Sequence, residues 1–139
     1  MPPISILLVE DNPGDALLIK AGLKRARIAN DVTVAINAND ALDVFHRRNG
    51  KENAAKVDLA LLDINLPGMN GIELLQVVKM DPDLKQTPII MLTSSDAPRD
   101  VQQAYQQHAN AYINKPVDFD ELIKLISTLI YFKYINLNT

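Results

Sequence analysis

Short, uninterrupted apolar runs alternate along this chain with longer stretches in which apolar residues recur at helical spacing. Ile4 to Val9 (ISILLV) is the first run and stops at two adjacent carboxylates, Glu10 and Asp11. Val32, Val34 and Ile36 alternate as a second strand. Leu59 to Leu62 is a third run, ending abruptly at Asp63 before Asn65, Pro67, Gly68 and Gly71, all turn-favouring residues. PIIMLT from Pro88 to Thr93 is a fourth, and AYIN from Ala111 to Asn114, followed by Lys115-Pro116, is a fifth. Short apolar runs without a helical period, bounded by turn residues, suit strands buried on both faces.

Between them lie helical patterns. Asn12 and Pro13 suit an N-cap and a first helical turn. Leu17, Leu18, Ala21 and Ile28 then read as one stripe, with Lys20, Lys24, Arg25 and Arg27 solvated and a stop near Ala29-Asn30-Asp31. Asn39 is the expected cap of a helix bearing Ala41, Leu42 and Phe45, and Arg47 to Lys56 reads as a polar loop. A third helix after Gly71 carries Ile72, Leu75 and Val78 and ends at Asp81-Pro82. A fourth, capped by Ser95 or Asp96, runs through Val101, Ala104 and Tyr105, with Gln102, Gln103, Gln106 and Gln107 on its polar side. The last begins near Asp118 and carries Phe119, Leu122, Ile123, Ile126, Leu129 and Ile130. Five strand–helix units in strict alternation imply an α/β fold: one doubly wound parallel sheet with helices on both faces.

Composition narrows the class. The 139 residues suit one domain, and 47% hydrophobic content is enough to fill one core. A net charge of −3 argues against nucleic acid as a partner. With no cysteine, disulfides and thiolate metal sites are excluded. The start, MPPISILLVED, lacks the basic and apolar regions of a signal peptide, and Leu122 to Phe132 is too short to span a bilayer. The expectation is a soluble cytoplasmic protein without a membrane partner.

The polar residues at the strand ends carry the chemistry. Glu10-Asp11, Asp63, Thr93 and Lys115 close the first, third, fourth and fifth strands. In a parallel sheet those ends share one edge, where α/β proteins place their ligand sites. Each residue alone reads as an ordinary turn, cap or surface group; together they do not. Converging carboxylates repel one another, and a hard divalent cation such as Mg²⁺ relieves that repulsion. A hydroxyl and an ammonium beside them suit an anion sharing the metal, with phosphate the natural choice.

In this order and spacing, Glu10-Asp11, Asp63, Thr93 and Lys115-Pro116 resemble the receiver domain of two-component response regulators, from about Ile4 to Ile130. The resemblance implies a five-stranded sheet in flavodoxin-like order 2-1-3-4-5. It implies that Asp63 accepts a phosphoryl group from a sensor histidine kinase or phosphotransfer protein. It implies Mg²⁺ held by Asp11, Asp63 and the backbone carbonyl of Asn65, with Glu10 assisting through a water. Lys115 would pair with the carboxylate and then with the phosphoryl oxygens, and Thr93 would move to hydrogen-bond the phosphoryl group. Tyr112 matches the switch aromatic that turns inward with Thr93, and Lys115-Pro116 matches a cis peptide. Asn65 and Ser95 stand where the family tunes dephosphorylation. Such a protein is a phosphoryl-accepting signalling protein rather than an enzyme acting on a separate substrate.

The opening EDNPGDALLIKAGLK, the long loop before Asp63 and DPDLKQTPI resemble stand-alone regulators paired with bacterial phytochrome kinases. Residues 131–139 form only a short extension to the receiver, so output through contact with a downstream protein is expected. Leu125, Leu129, Tyr131, Phe132 and Tyr134 make the last helix apolar on more than one face, which suggests a homodimer through that helix and its extension.

Other readings fare worse. A dehalogenase-type phosphatase would have Asp where Asn65 stands. A calcium loop from Asp63 fails at Pro67 and at Leu74, where a bidentate Glu is required. No phosphate-binding glycine motif is present, and His46 and His108 lack metal-ligand spacing. The serious alternative is a docking module with the receiver fold that is never phosphorylated. The intact set of site residues argues against it, and geometry must decide.

Overall fold

The computed structural model describes residues 4–49, 56–94, 103 and 106–138. Its strands are β1 (Ile4–Val9), β2 (Ala29–Ala35), β3 (Leu59–Asp63), β4 (Ile89–Thr93) and β5 (Ala111–Asn114). They pair in parallel in the order β2-β1-β3-β4-β5. Among the described residues the helices are α1 (Pro13–Arg25), α2 (Ala38–Asn49), α3 (Gly71–Met80) and α4 (Phe119–Asn138). The helix expected through Val101, Ala104 and Tyr105, with its proposed caps Ser95 and Asp96, lies outside the described residues, as do residues 50–55 of the expected loop.

Strand alternation divides the apolar residues between two cores. Leu7, Val9, Ala60, Leu62, Ile89 and Met91 face α2 and α3, where Ala41, Phe45, Leu74, Leu75 and Val78 cover them. Ile6, Leu8, Leu59, Leu61, Ile90, Leu92 and Ile113 face α1 and α4, under Ile19, Leu23, Leu122 and Ile126. A strand that must supply apolar residues to both faces cannot alternate, which is why these runs are continuous.

These four described helices open on the same device. Asn12, Asn37, Asn70 and Asp118 each accept, through a side-chain oxygen, the backbone N–H three residues on, at 3.0, 2.8, 2.9 and 3.2 Å. The cap of α2 is therefore Asn37 and not Asn39. Ala38 and Ala41 must both reach the core, so the helix starts two residues earlier than the sequence suggested.

The expected stripe on α1 is also corrected. Ala16, Ile19 and Leu23 face the sheet, while Leu17 and Leu18 are 68% and 66% exposed and Ala21 is exposed. Four consecutive apolar residues point in every direction round a helix, so periodicity could not select the buried face. Ile28 lies beyond the helix, which ends at Arg25. Ala29 to Asp31, read as the helix stop, already belong to β2, after Arg27 turns the chain at φ 57°. Ile36, expected to continue β2, lies past its end and is exposed. Gly22 lets α1 and α4 approach, since a Cβ there would lie 2.2 Å from the Phe119 ring.

The apolar excess on α4 is partly used within the chain: Leu125 and Leu129 pack against the α1/α4 core, while Tyr131 is exposed. The side chains of Phe132 and Tyr134 lie outside the described residues. No described helix is long and apolar enough to cross a membrane.

Candidate functional site

The site follows from register and parity. The pairs Val9↔Leu62, Asp63↔Leu92 and Thr93↔Asn114 align the strand ends at one edge of the sheet. Ile6 and Leu8, Leu59 and Leu61, and Ile113 face the α1/α4 side, so Glu10, Asp63 and Lys115 continue the rows of β1, β3 and β5 on that same side. The first and last stay in the ladder beyond their strands: Glu10 N–H donates to Ala35 O at 2.9 Å and Lys115 N–H to Thr93 O at 2.8 Å. Thr93 has the parity of Ile89 and Met91, the side on which Tyr112 packs, half-buried. Thr93 is fully buried.

Lys115 Nζ donates to Asp63 Oδ2 at 2.8 Å, to Glu10 Oε1 and to Asp15 Oδ2 at 3.3 Å. Asp63 Oδ1 accepts the Asn65 backbone N–H at 2.9 Å, so both oxygens of that carboxylate are fixed. Asn65 Nδ2 reaches Ser94 Oγ at 3.1 Å across the site. The Lys115–Pro116 peptide is cis.

The turn after Asp63 is tightly drawn. Gly68 takes φ 72°, a conformation that favours glycine. Gly71 begins α3 against the backbone of Asp63, with its N–H donating to Ile64 O at 2.9 Å. A Cβ at Gly71 would stand 2.1 Å from the Asp63 carbonyl oxygen.

Burial sets the charge states. Glu10 and Asp63 are 1% and 4% exposed. Burial, with the adjacent Asp63 carboxylate, pushes the Glu10 carboxyl up to about 8, although Lys115 pulls the other way. Burial would raise Asp63 too, but the neighbouring Glu10, the Lys115 ammonium and the Asn65 N–H outweigh it and hold that carboxyl below the usual range. Lys115 is raised despite its burial, because Asp63 and Glu10 stabilise its charge. The surroundings of the pair thus favour the neutral form at Glu10 and the ionised form at Asp63.

Glu10, Asp11 and Asp63 each place an oxygen within 4.8 Å of the others. Carboxylate oxygens gathered this closely repel one another, and a hard cation such as Mg²⁺ would relieve that repulsion. Glu10 Oε2 is buried and has no hydrogen-bond partner among the described residues, a condition that a cation or its bound water would relieve. Asp11 is exposed and lines an open groove of about 470 Å³ beside Asn65, Pro67 and Asn70. The donor set fits a hard cation. Asp15 is the member that sequence reasoning missed: an acidic residue in a first helical turn reads as a partner for the helix dipole, and only the fold brings it to Lys115.

A five-stranded parallel sheet in this order, with clustered carboxylates and a paired lysine at its carboxyl edge, is the architecture of a response regulator receiver domain. Residues 6–127 match the response regulator receiver domain family, and the chain belongs to that family. It is 35% identical to the response regulator Rcp1 of Synechocystis over 125 residues, 90% of this chain and 85% of Rcp1. The Mn²⁺-bound structure of Rcp1 superposes with a TM-score of 0.74 at 34% identity, covering 91% of each chain. The structure of the bacteriophytochrome response regulator AtBRR matches with a TM-score of 0.78 at 37% identity, covering 93% of this chain and 94% of AtBRR. The phosphorylated cyanobacterial phytochrome response regulator RcpA matches at 0.76 and 32%, covering 94% and 93%.

Proposed function

We propose that this chain acts as a response regulator, with its receiver core at about residues 4–130 followed by residues 131–139. In this reading Asp63 accepts a phosphoryl group from the phosphohistidine of a sensor kinase or phosphotransfer protein. The observation that carries the reading is the setting of Asp63: buried, held at both oxygens, facing Glu10 and Asp11, and with its carboxyl held below the usual range by Glu10, Lys115 and the Asn65 N–H. A carboxylate held below its usual range needs no general base. One Asp63 oxygen attacks phosphorus, the P–N bond breaks, and its electron pair leaves with the imidazole, giving an acyl phosphate on Asp63.

Asp11, Asp63 and the Asn65 carbonyl would hold Mg²⁺, with Glu10 assisting through a water. The metal supplies charge neutralisation for the oxygens of the transferring group. Lys115 offers fixed positive charge to the same oxygens. Thr93 would donate its hydroxyl to the phosphoryl group, and Tyr112, on the same side of the sheet, would follow it. Phosphorylation adds charge and three strong acceptors, enough to bias a two-state surface near β5 and α4 toward a downstream protein. Similarity to RcpA and AtBRR supports a phytochrome-type histidine kinase as the donor.

Intact mass after incubation with Mg²⁺ and acetyl phosphate or phosphoramidate tests this. One phosphoryl adduct is expected, absent with chelator and absent in Asp63→Asn. A folded chain that binds Mg²⁺ yet takes no phosphoryl group from these donors or from phosphorylated kinases would instead be a docking module.

A further inference from the structure

A lysine ammonium has three N–H donors, and at Lys115 three carboxylates from three elements receive them. Glu10 follows β1, Asp63 ends β3, and Asp15 lies in the first turn of α1. The three bonds are unequal. The Glu10 and Asp63 side chains are 0% and 5% exposed, whereas that of Asp15 is 45% exposed and its contact, at 3.3 Å, is longer than the 2.8 Å to Asp63. Replacing Asp15 by water therefore costs little, while releasing Glu10 would strand a buried group. The Asp15–Lys115 contact also spans from α1 to the turn after β5, beside a mostly apolar cavity of about 120 Å³ lined by Leu18, Ile19, Val117 and Phe119.

From this saturated ammonium we infer that Asp15 is a positioning residue for Lys115. It holds the lysine in the resting site and gives up its share of the donors when a phosphoryl group arrives on Asp63. The inference rests on Asp63 being the phosphoryl acceptor. A new anion on Asp63 needs a donor, and the exposed anchor is the one that yields. The Asp15 charge also repels that anion, so both effects favour the unphosphorylated state. Asp15 thus sets how readily the site accepts the group without touching it.

Asp15→Asn keeps the size of the side chain and leaves intact the backbone N–H of residue 15 that Asn12 caps. Two readouts separate positioning from folding. In unphosphorylated, Mg²⁺-free protein, acylation of Lys115 mapped by peptide mass should be faster in Asp15→Asn than in wild type. At saturating Mg²⁺, phosphorylation by phosphoramidate should be about two- to fivefold faster, the factor a partly exposed ion pair is worth. Asp15→Glu, which restores the charge, should return both rates toward wild type. If wild type takes no phosphoryl group, the reading of Asp63 falls and this inference with it. If wild type is phosphorylated and Asp15→Asn is no faster, or Asp15→Glu is equally accelerated, the inference alone is overturned.

Discussion

Gly71→Ala puts the geometry behind Asp63 to a quantitative test. The added methyl would lie 2.1 Å from the Asp63 carbonyl oxygen and 2.8 Å from both the Asp63 carbonyl carbon and Ile64 Cα. All three are backbone atoms, so no side chain can swing aside. The start of α3 and the end of β3 must separate by about 1 Å, an overpacking cost of about 1–3 kcal/mol. That separation also stretches the 2.9 Å bond from Gly71 N–H to Ile64 O, worth about 1 kcal/mol. A total of about 2–4 kcal/mol lowers Tm by roughly 7–14 °C in a chain of this size. Gly68→Ala is the comparison: open space surrounds its Cβ, and only φ 72° opposes the change, for about 1 kcal/mol and roughly 3 °C. Thermal unfolding followed by far-ultraviolet circular dichroism measures both. Because Gly71→Ala moves the Asp63 peptide itself, phosphorylation by acetyl phosphate should also slow by about tenfold or more in protein that is still folded. A Tm within about 2 °C of wild type, or an unchanged phosphorylation rate, would refute the reasoning.

Three further outcomes follow from the same site. Lys115→Ala leaves Glu10 and Asp63 buried without their cation; it should cost about 3 kcal/mol, and saturating Mg²⁺ should raise its Tm more than it raises that of wild type, by thermal unfolding. Glu10 is held protonated up to about 8 by burial and by Asp63, so a cation bound below that pH displaces a proton. Calorimetry in buffers of different ionisation enthalpy should show proton release, with Mg²⁺ affinity rising with pH and levelling above about 8, and Glu10→Gln should abolish the release. The sign for stability is opposite. Folded Glu10 keeps its proton where the unfolded residue has lost it, so its contribution is complete below the ordinary glutamate range and is lost as pH rises through about 8. Asn70→Ala removes the cap on Glu73 N–H and should cost about 1 kcal/mol, near 3 °C in Tm.

The convergence of Glu10, Asp63 and Lys115 was legible because strand parity is a local property. Once Leu59 and Leu61 face one core, Asp63 must point the same way, and no tertiary knowledge is needed. The cap Asn12 was legible for the same reason, since it bonds within its own first turn. The buried face of α1 was not, because Ala16 to Ile19 offer apolar side chains in every direction and only the docked sheet chooses among them. Asn37 lost to Asn39 on sequence for a related reason: both are good caps, and the demand that Ala38 and Ala41 be buried decides. Asp15 could not be found from spacing at all, since its partner is 100 residues away on another element.

The most direct test of the account is to locate the phosphoryl group chemically. An acyl phosphate on aspartate is reduced by borohydride to homoserine, which peptide mass spectrometry can place in the sequence. After phosphorylation in Mg²⁺, homoserine should appear at position 63 and nowhere else, and not at all in Asp63→Asn. Homoserine at another carboxylate, or phosphate retained on His46 or His108, would contradict the claim that Asp63 is the acceptor.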